Sequence, residues 1–85
     1  MDKLKVAIIA KDKVAYEGQA ESVFAPTQTG IIEILPEHMQ LVSALASGDV
    51  IIKTKDGVIN TFKISGGVLE IRSKSNIIIL ADIIS

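Results

Sequence analysis

Cysteine is absent from this sequence, and aromatic residues are few. Without cysteine the chain can form neither a disulfide scaffold nor a thiolate metal site. Its aromatic side chains are Tyr16, Phe24 and Phe62, which make up 4% of the chain. Proteins that bind sugars or single-stranded nucleic acid usually stack their ligands on several aromatic rings, so those classes are disfavoured.

The charge balance and the shortness of the apolar runs exclude two further classes. The formal net charge is −1, which provides no basic surface for holding phosphates, so nucleic acid is not an expected partner. The apolar stretch near the N-terminus, Val6 to Ala10, is too short for the core of a signal peptide or for a bilayer-spanning segment. We therefore expect a soluble chain without direct membrane insertion.

Groups that could catalyse a reaction are also scarce. His38 is the only histidine, with Glu37 beside it and Glu33 nearby. A small hydrolase could use such a pair to activate Ser43 or Ser65, but neither serine lies in a Gly-x-Ser-x-Gly elbow. A zinc site with one histidine would need three converging carboxylates, a rare arrangement. We predict no catalytic residue, no metal site and no cofactor, and interpret His38 as a turn residue that hydrogen-bonds a neighbour.

Ser65-Gly66-Gly67 could be taken for a phosphate-binding loop. The Walker pattern needs Gly-x-x-x-x-Gly-Lys before serine or threonine, and the dinucleotide pattern needs Gly-x-Gly-x-x-Gly; the sequence contains neither. Two adjacent glycines between apolar runs are more typical of a tight bend or bulge between strands. We therefore predict a bend here and no bound nucleotide.

What the sequence does contain is typical of one small β domain spanning residues 1–85. Hydrophobic residues make up 48% of the chain, which excludes a disordered polypeptide. Short runs rich in valine and isoleucine, which favour strands, alternate with turn signals at nearly even spacing, and this pattern favours a sandwich or a barrel. The turn signals are Gly18, Pro26, Gly30, Pro36, Gly48, Asp56-Gly57, Gly66-Gly67 and Lys74-Ser75-Asn76.

Individual strands are placed by apolar alternation and by turn residues. In Leu4 to Ala10 the apolar side chains alternate as they do in a half-buried strand. Asp56-Gly57 between two β-branched runs is a strong hairpin signal, because glycine tolerates the positive φ of primed turns. Met39 to Ala46 could be a helix of about two turns or a strand, and we predict a strand. Val14 and Tyr16 lead to a predicted turn at Gly18, and the predicted strands are 4–10, 22–25 ended by Pro26, 39–46, 50–54, 58–64, 68–72 and 77–84.

Some short segments with strand-like sequences are apolar on both faces. Ile77 to Leu80 contains no polar residue, and Ile31-Ile32 and Val50-Ile51-Ile52 behave likewise. In a two-layer sandwich the outer face of each sheet looks toward solvent, so an apolar outer face needs a cover. We expect a partner protein to provide that cover; loops folded over a very small core are the alternative.

Several short motifs follow one another in an order and spacing that carry a family resemblance. Tyr16-Glu17-Gly18 is similar to an aromatic-x-glycine turn, and Ala25-Pro26-Thr27 to the Pro-Thr step that follows it. Gly30 through Leu41 resembles a Gly-x-x-Gly-Ile-x-Pro-Gly-His-x-Pro-Leu segment. Ile64 through Ile71 resembles a Ser-Gly-Gly-x-x-Glu-Val strand pair, and Leu80-Ala81-Asp82 a closing strand. Together, over almost the whole chain, these motifs resemble the N-terminal β-domain of the epsilon subunit of F-type ATP synthase, called delta in mitochondria.

The sequence departs from that family at three positions and at its end. Glu33, Glu37 and Gln40 stand where the family often has glycine, glycine and proline, which changes the backbone freedom of this segment. The sequence ends at Ser85, so the resemblance covers the β-domain without the C-terminal helical hairpin, which in many members inhibits ATP hydrolysis and in some binds ATP. We therefore carry over neither regulation nor nucleotide binding.

The resemblance implies an all-β fold, a flattened β-sandwich of two five-stranded, mostly antiparallel sheets. It implies a non-catalytic subunit of the central rotor stalk, which links the gamma subunit to the c-ring and couples proton transport to ATP synthesis. Such a subunit lies peripherally, within the F1 complex, on the cytoplasmic face of the cell membrane or the equivalent side of an organelle membrane. A β-sandwich adaptor or ligand-binding module of another assembly is the alternative that the residues leave open.

The same resemblance assigns contact residues to two partners. The loop that faces the c-ring is assigned to Gly30, Ile31, Ile32 and Glu33. The side that faces the gamma subunit is assigned to His38, Met39, Leu41, Val42 and Leu80. Glu33 is a candidate ion-pair partner for a basic residue of the ring, although an exposed pair of this kind contributes little.

Overall fold

The computed structural model describes residues 3–36, 39–72 and 75–84, and its regular secondary structure is all β. No helix among these residues is long and apolar enough to span a membrane. The strands are β1 (Leu4–Ala10), β2 (Lys13–Ala20), β3 (Ser22–Thr27), β4 (Gly30–Ile34), β5 (Leu41–Leu45), β6 (Gly48–Lys53), β7 (Ile59–Arg72) and β8 (Asn76–Ile83). The all-β prediction is therefore confirmed, and so is the assignment of β5 as a strand.

The strands form one hydrogen-bonded network in the order β2-β1-β8-β7-β5-β3-β4, with β6 pairing with both β3 and β7. Among the strands that the structure describes, only the β1–β8 pair is parallel, so the prediction of a mostly antiparallel arrangement is confirmed. The count of two five-stranded sheets is not confirmed, because the described residues form eight strands joined in a single network.

The long strand β7 changes neighbours along its length. Its N-terminal half, Ile59 to Ile64, pairs with β6, whereas Gly67 to Ile71 lies between β5 and β8. A tight bend or bulge between two strands was predicted at the glycine pair. The register with β8 shifts between Ile64 and Gly66, as in a bulge, but β7 runs through the glycine pair as one strand, so the predicted strands 58–64 and 68–72 are a single element. A Cβ atom added to Gly67 would lie 2.2 Å from the carbonyl oxygen of Leu80, which shows how closely the backbones approach.

Side chains on the inner faces of the strands form a core that is almost entirely aliphatic. The alternation predicted for the first strand is confirmed, since Leu4, Val6 and Ile8 are all buried. Tyr16 and Phe62 close the core with an edge-to-face contact, their ring centroids 6.0 Å apart. The other buried hydrophobic residues are Ala20, Val23, Ala25, Ile34, Leu45, Val50, Ile52, Ile64, Leu69, Ile71, Ile77, Ile79 and Ala81.

Two residues predicted to end strands lie inside them. Gly18 is no turn, because β2 runs through it, and a Cβ there would lie 3.2 Å from the Tyr16 hydroxyl. Pro26 pairs with Ile31 in the β3–β4 ladder, and its carbonyl accepts a hydrogen bond from Ala46 N at 2.8 Å. The missing N–H of Pro26 falls where β3 passes from its pairing with β6 to its single pairing with β5, so no ladder bond is lost.

The turn between β1 and β2 was not predicted, because it contains no glycine. Lys11 and Asp12 connect the paired residues Ala10 and Lys13, and both have positive φ, 47° and 68°. Two central residues with positive φ match a type I′ hairpin, whose second position strongly favours glycine.

Replacing Asp12 by glycine is expected to stabilise the domain by about 0.5–1 kcal/mol, because glycine adopts the left-handed region without the steric cost that aspartate bears. Chemical denaturation of both proteins measures the difference. Lys13→Gly, at the first residue of β2, is the control and is expected to destabilise the domain. A loss of stability in Asp12→Gly would contradict this account of the turn.

Candidate functional site

The structure leaves many large apolar side chains exposed. Four of them, Val14, Val42, Val68 and Leu80, lie on one outer surface, formed by β2, β1, β8, the C-terminal half of β7, and β5. We call this surface the five-strand face. The remaining exposed large hydrophobic residues are Ile31, Leu35, Met39, Leu41, Val58, Ile59 and Ile84.

The centre of the five-strand face is a continuous line of apolar residues, which we call the apolar row. Directly paired residues in neighbouring strands share one face of a sheet, and here five such residues follow one another. The apolar row consists of Val14 in β2, Ile9 in β1, Leu80 in β8, Val68 in β7 and Ala44 in β5. With strands about 4.8 Å apart, the row is about 19 Å long. Leu80 stands at its middle and is 49% exposed.

The neighbouring line of paired residues widens the apolar surface and adds carboxylates. It runs Glu17, Ala7, Ile78, Glu70 and Val42 across the same strands. Glu70 is ion-paired with Arg72 on its own strand, so its charge is partly balanced within the chain. The five-strand face thus has an apolar centre, and the charged residues Glu17 and Glu70 lie beside the apolar row.

A second exposed feature is the tip of the β3–β4 hairpin. The Thr27 hydroxyl donates a hydrogen bond to the carbonyl of Gly30 at 2.6 Å and accepts one from Thr29 N at 3.3 Å. The Gln28 side-chain amide donates to the carbonyl of Leu45 at 3.3 Å, which ties the tip to β5. Hydrogen bonds within the tip and a hydrogen bond to β5 therefore hold the tip in place.

The hairpin tip presents one isoleucine outward and turns the next inward. Ile31 is 76% exposed, and Glu33, two residues further along β4, is exposed as well. Ile32 lies between them, is partly buried and packs against the core. The tip consequently offers an apolar side chain and a carboxylate on the same side of the strand.

The residues assigned to the gamma side do not all lie on one surface. Val42 and Leu80 both belong to the five-strand face, and Met39, two residues before β5, is 81% exposed. Leu41 pairs with the buried Ile71, so it points to the core side of β5 and keeps 36% exposure at the edge of the core. His38, like the neighbouring Glu37, lies outside the described residues.

Sequence reasoning missed four members of the apolar row, Val14, Ile9, Val68 and Ala44. Each looks ordinary in its own strand, and they become one surface only through the pairing of β1 with β8. No local pattern in the sequence predicts that two strands so distant in the sequence pair in parallel. The alternation within each strand is the one signal that could have shown which of its apolar residues points outward.

The described residues offer little for chemistry. Among residues 3–36, 39–72 and 75–84, no group of three or more histidine, cysteine, aspartate or glutamate side chains could hold a metal ion. The exposed Ser43 hydroxyl donates to the carbonyl of Ala44 at 3.4 Å. What the surface offers most clearly is an apolar area for contact with another macromolecule.

Comparison with known proteins places this sequence in a defined group. Residues 3–85 match the family described as ATP synthase, Delta/Epsilon chain, beta-sandwich domain. The ATP synthase epsilon chain of Brevibacillus brevis is 39% identical over 82 residues, which cover 96% of this chain and 61% of that protein. The epsilon chain of Leptospira interrogans is 37% identical over 81 residues, covering 95% and 62%. The chain thus spans about three fifths of the length of these curated relatives.

Solved structures share the fold at lower sequence identity. A chain of the Euglena gracilis mitochondrial ATP synthase, from a structure containing OSCP, F1 and c-ring, matches with a TM-score of 0.90 at 18% identity, covering 95% of this chain and 51% of that one. A chain of the Tetrahymena thermophila mitochondrial ATP synthase central stalk and c-ring matches with a TM-score of 0.78 at 17% identity, covering 95% and 64%. These matches confirm the β architecture.

Proposed function

The chain belongs to the β-sandwich domain family of ATP synthase delta and epsilon chains, and we propose that it is a non-catalytic central-stalk subunit of that enzyme. In this role it links the gamma subunit to the c-ring and couples proton transport to ATP synthesis. It sits peripherally as part of the F1 complex, on the cytoplasmic face of the cell membrane or the equivalent side of an organelle membrane. The observation that carries the proposal is the apolar row, a built contact surface on the outside of a small domain.

The gamma subunit is the proposed occupant of the five-strand face. Apolar side chains at the centre of an interface contribute most of the binding energy when a partner removes them from water. Leu80 and Val42 supply such side chains, and Met39 is exposed two residues before β5. Leu41 points to the core side of β5, and we propose that it reaches the partner only through the part of its side chain that is exposed at the edge of the core. His38, between β4 and β5 in the sequence, belongs to the same proposed contact.

The hairpin tip is the proposed contact with the c-ring. Gly30 begins the strand with a φ of 131°, and an added Cβ there would meet no atom within 4 Å, so its backbone is open to an approaching surface. Ile31 and Glu33 point outward beside it, while Ile32 anchors the tip to the core. The tip can therefore press on the ring without being displaced from the domain.

The domain between the two proposed contacts is built to be stiff. Neighbouring strands are hydrogen-bonded throughout the described network, and the 14-residue strand β7 pairs with β5, β6 and β8. A close-packed β domain transmits strain with little deformation. This property suits a subunit that carries torque from one partner to the other.

Reconstitution with the gamma subunit and the c-ring tests the proposed function directly. The chain is expected to co-migrate with each of them in gel filtration, and to join them in a ternary complex that sediments as one species. A folded chain that binds neither partner at micromolar concentration contradicts the proposal.

Replacing Ile31 by aspartate is expected to weaken c-ring binding about tenfold or more, because a charge then enters the apolar part of the contact. Binding to the gamma subunit should be unchanged, since Ile31 lies in β4, which is not one of the strands of the five-strand face. Capture of detergent-solubilised c-ring by an immobilised chain–gamma complex measures both. Val58→Asp, an equally apolar exposed site at the β6–β7 turn, is the control and should bind as the unaltered chain does. Equal losses in the two variants would contradict the assignment.

A further inference from the structure

The β3–β4 hairpin is attached to the rest of the domain differently at its base and at its tip. At the base, residues Ser22 to Phe24 of β3 pair with β6. Beyond Phe24 that pairing ends, and among the described strands β4 pairs with β3 alone. The position of the tip therefore depends on attachments other than the β3–β6 ladder.

The end of β5 supplies those attachments. Thr27 and Leu45 form a single ladder pair between β3 and β5. Two backbone hydrogen bonds flank this pair, one from Ala46 N to β3 at 2.8 Å and one from Gln28 N to β5 at 3.4 Å. The Gln28 side chain adds a third, because its amide donates to the carbonyl of Leu45 at 3.3 Å. Gln28 thus bonds β5 through both its backbone and its side chain.

Side-chain packing supports the inner side of the tip and leaves its outer side open. Ile32 packs against the core, whereas Ile31 borders a depression between the tip and the β5–β6 connection. Phe24 and Ala46 line the same depression. At the start of β4, a Cβ added to Gly30 would meet no atom within 4 Å. The hydrogen bonds to β5 therefore determine how far the tip leans over the depression.

The strand that holds the tip is also a strand of the five-strand face. Ala44 belongs to the apolar row, and its carbonyl accepts the hydrogen bond from Gln28 N. Val42, two residues earlier in β5, is exposed on the same face. The proposed contact with the c-ring and the proposed contact with the gamma subunit consequently meet at the end of β5.

Resting on these two proposed contacts, we propose that Gln28 is a positioning residue that couples the c-ring contact to the strand held by the gamma subunit. In this role Gln28 does not touch the ring, and it fixes the place from which Ile31 does. Contact residues bind best when neighbouring groups fix their geometry before the partner arrives. Force on the tip passes through Gln28 and the Thr27–Leu45 pair into β5, and the hairpin does not bend over the open depression.

Replacing Gln28 by methionine tests this role, because methionine keeps the length of the side chain but has no donor for the carbonyl of Leu45. Capture of detergent-solubilised c-ring by an immobilised chain–gamma complex is expected to weaken about three- to tenfold, the range of one lost neutral hydrogen bond. Binding to the gamma subunit should be unchanged, since β3 is not a strand of the five-strand face. Gln19→Met makes the same change at an exposed position of β2 and should leave c-ring capture unaltered.

Two further measurements separate positioning from direct contact. In the isolated chain, amide hydrogen exchange at Gln28 and Thr29 should be faster in Gln28→Met, because the tip opens more often. In a double-mutant cycle with Ile31→Ala, the combined loss of c-ring affinity should be smaller than the product of the two separate losses, since Gln28 acts through Ile31. Losses that multiply would show that Gln28 acts independently of Ile31, which overturns the inference.

The failure of the inference can be told apart from the failure of the proposed function. If the unaltered chain captures the c-ring and Gln28→Met captures it equally well, the inference alone is overturned. If the unaltered chain does not capture the ring, the proposed function is overturned and the inference with it. Circular dichroism confirms that each variant is folded, and an unaltered affinity for the gamma subunit confirms that the five-strand face is intact.

Discussion

Replacing Gly67 by alanine is expected to destabilise the domain by at least about 3 kcal/mol, enough to lower the melting temperature by about 12 °C or more. The new Cβ would lie 2.2 Å from the carbonyl oxygen of Leu80 and 2.7 Å from the Cα of Ala81. Both are backbone atoms in the neighbouring strand, so relief requires β7 and β8 to separate. Their ladder is the longest in the structure, and thermal unfolding followed by circular dichroism measures its loss.

Gly66→Ala provides a matched control at the adjacent position. Gly66 has the same φ of 155°, but a Cβ there would meet only the carbonyl oxygen of Leu45, at 3.7 Å, which is an ordinary contact. Because the two glycines share a backbone conformation, the difference in stability between the two variants measures the cost of the close contact at Gly67. If both variants lost the same stability, conformation and not contact would be the cause.

Replacing Leu80 by aspartate is expected to weaken binding of the gamma subunit about 100-fold or more while the isolated domain stays folded. Leu80 lies at the centre of the apolar row, with Ile9 on one side and Val68 on the other. A carboxylate covered by a partner at that point would lose water without gaining a partner charge. Its exposure of 49% in the isolated chain means that the same substitution costs the fold little.

Isothermal titration calorimetry with the purified gamma subunit measures this loss. Ile59→Asp is the matched control, because Ile59 is 58% exposed but pairs with Lys53 of β6, away from the five-strand face. It should bind as the unaltered chain does. A Leu80→Asp variant that retains full affinity would show that the gamma subunit does not occupy this face.

Turn residues made the architecture largely predictable. Predictions based on them were wrong where a glycine or proline lies inside a strand. Asp56-Gly57 turns where expected, with Gly57 at a φ of 79°. Gly18 instead leaves room for the Tyr16 hydroxyl within a strand, a close approach that the sequence does not distinguish from a turn. The Lys11–Asp12 turn shows the converse, since positive φ occurs there without glycine.

The candidate site was less predictable than the fold, because it depends on pairing between distant strands. The apolar run from Ile77 to Leu80 pointed to an outer surface needing a cover, and Leu80 indeed lies on one. The composition of that surface depends on β1 lying beside β8, which places Ile9 next to Leu80. Leu41 and Ile32, both apolar and named as contacts by resemblance alone, have inward-facing positions that only coordinates can show.

The parallel β1–β8 pair also bears on how the domain acquires its structure. Among the described strands, β1 pairs with β2 and β8 alone, so the β1–β2 hairpin joins the rest of the hydrogen-bonded network only through β8, which lies far from it in the sequence. During synthesis that hairpin cannot dock at once, because β8 emerges from the ribosome after all the other described strands. An isolated hairpin is marginally stable in water, and closing so long a loop slows folding. Nascent chains should therefore remain protease-sensitive until residues 76–83 have emerged.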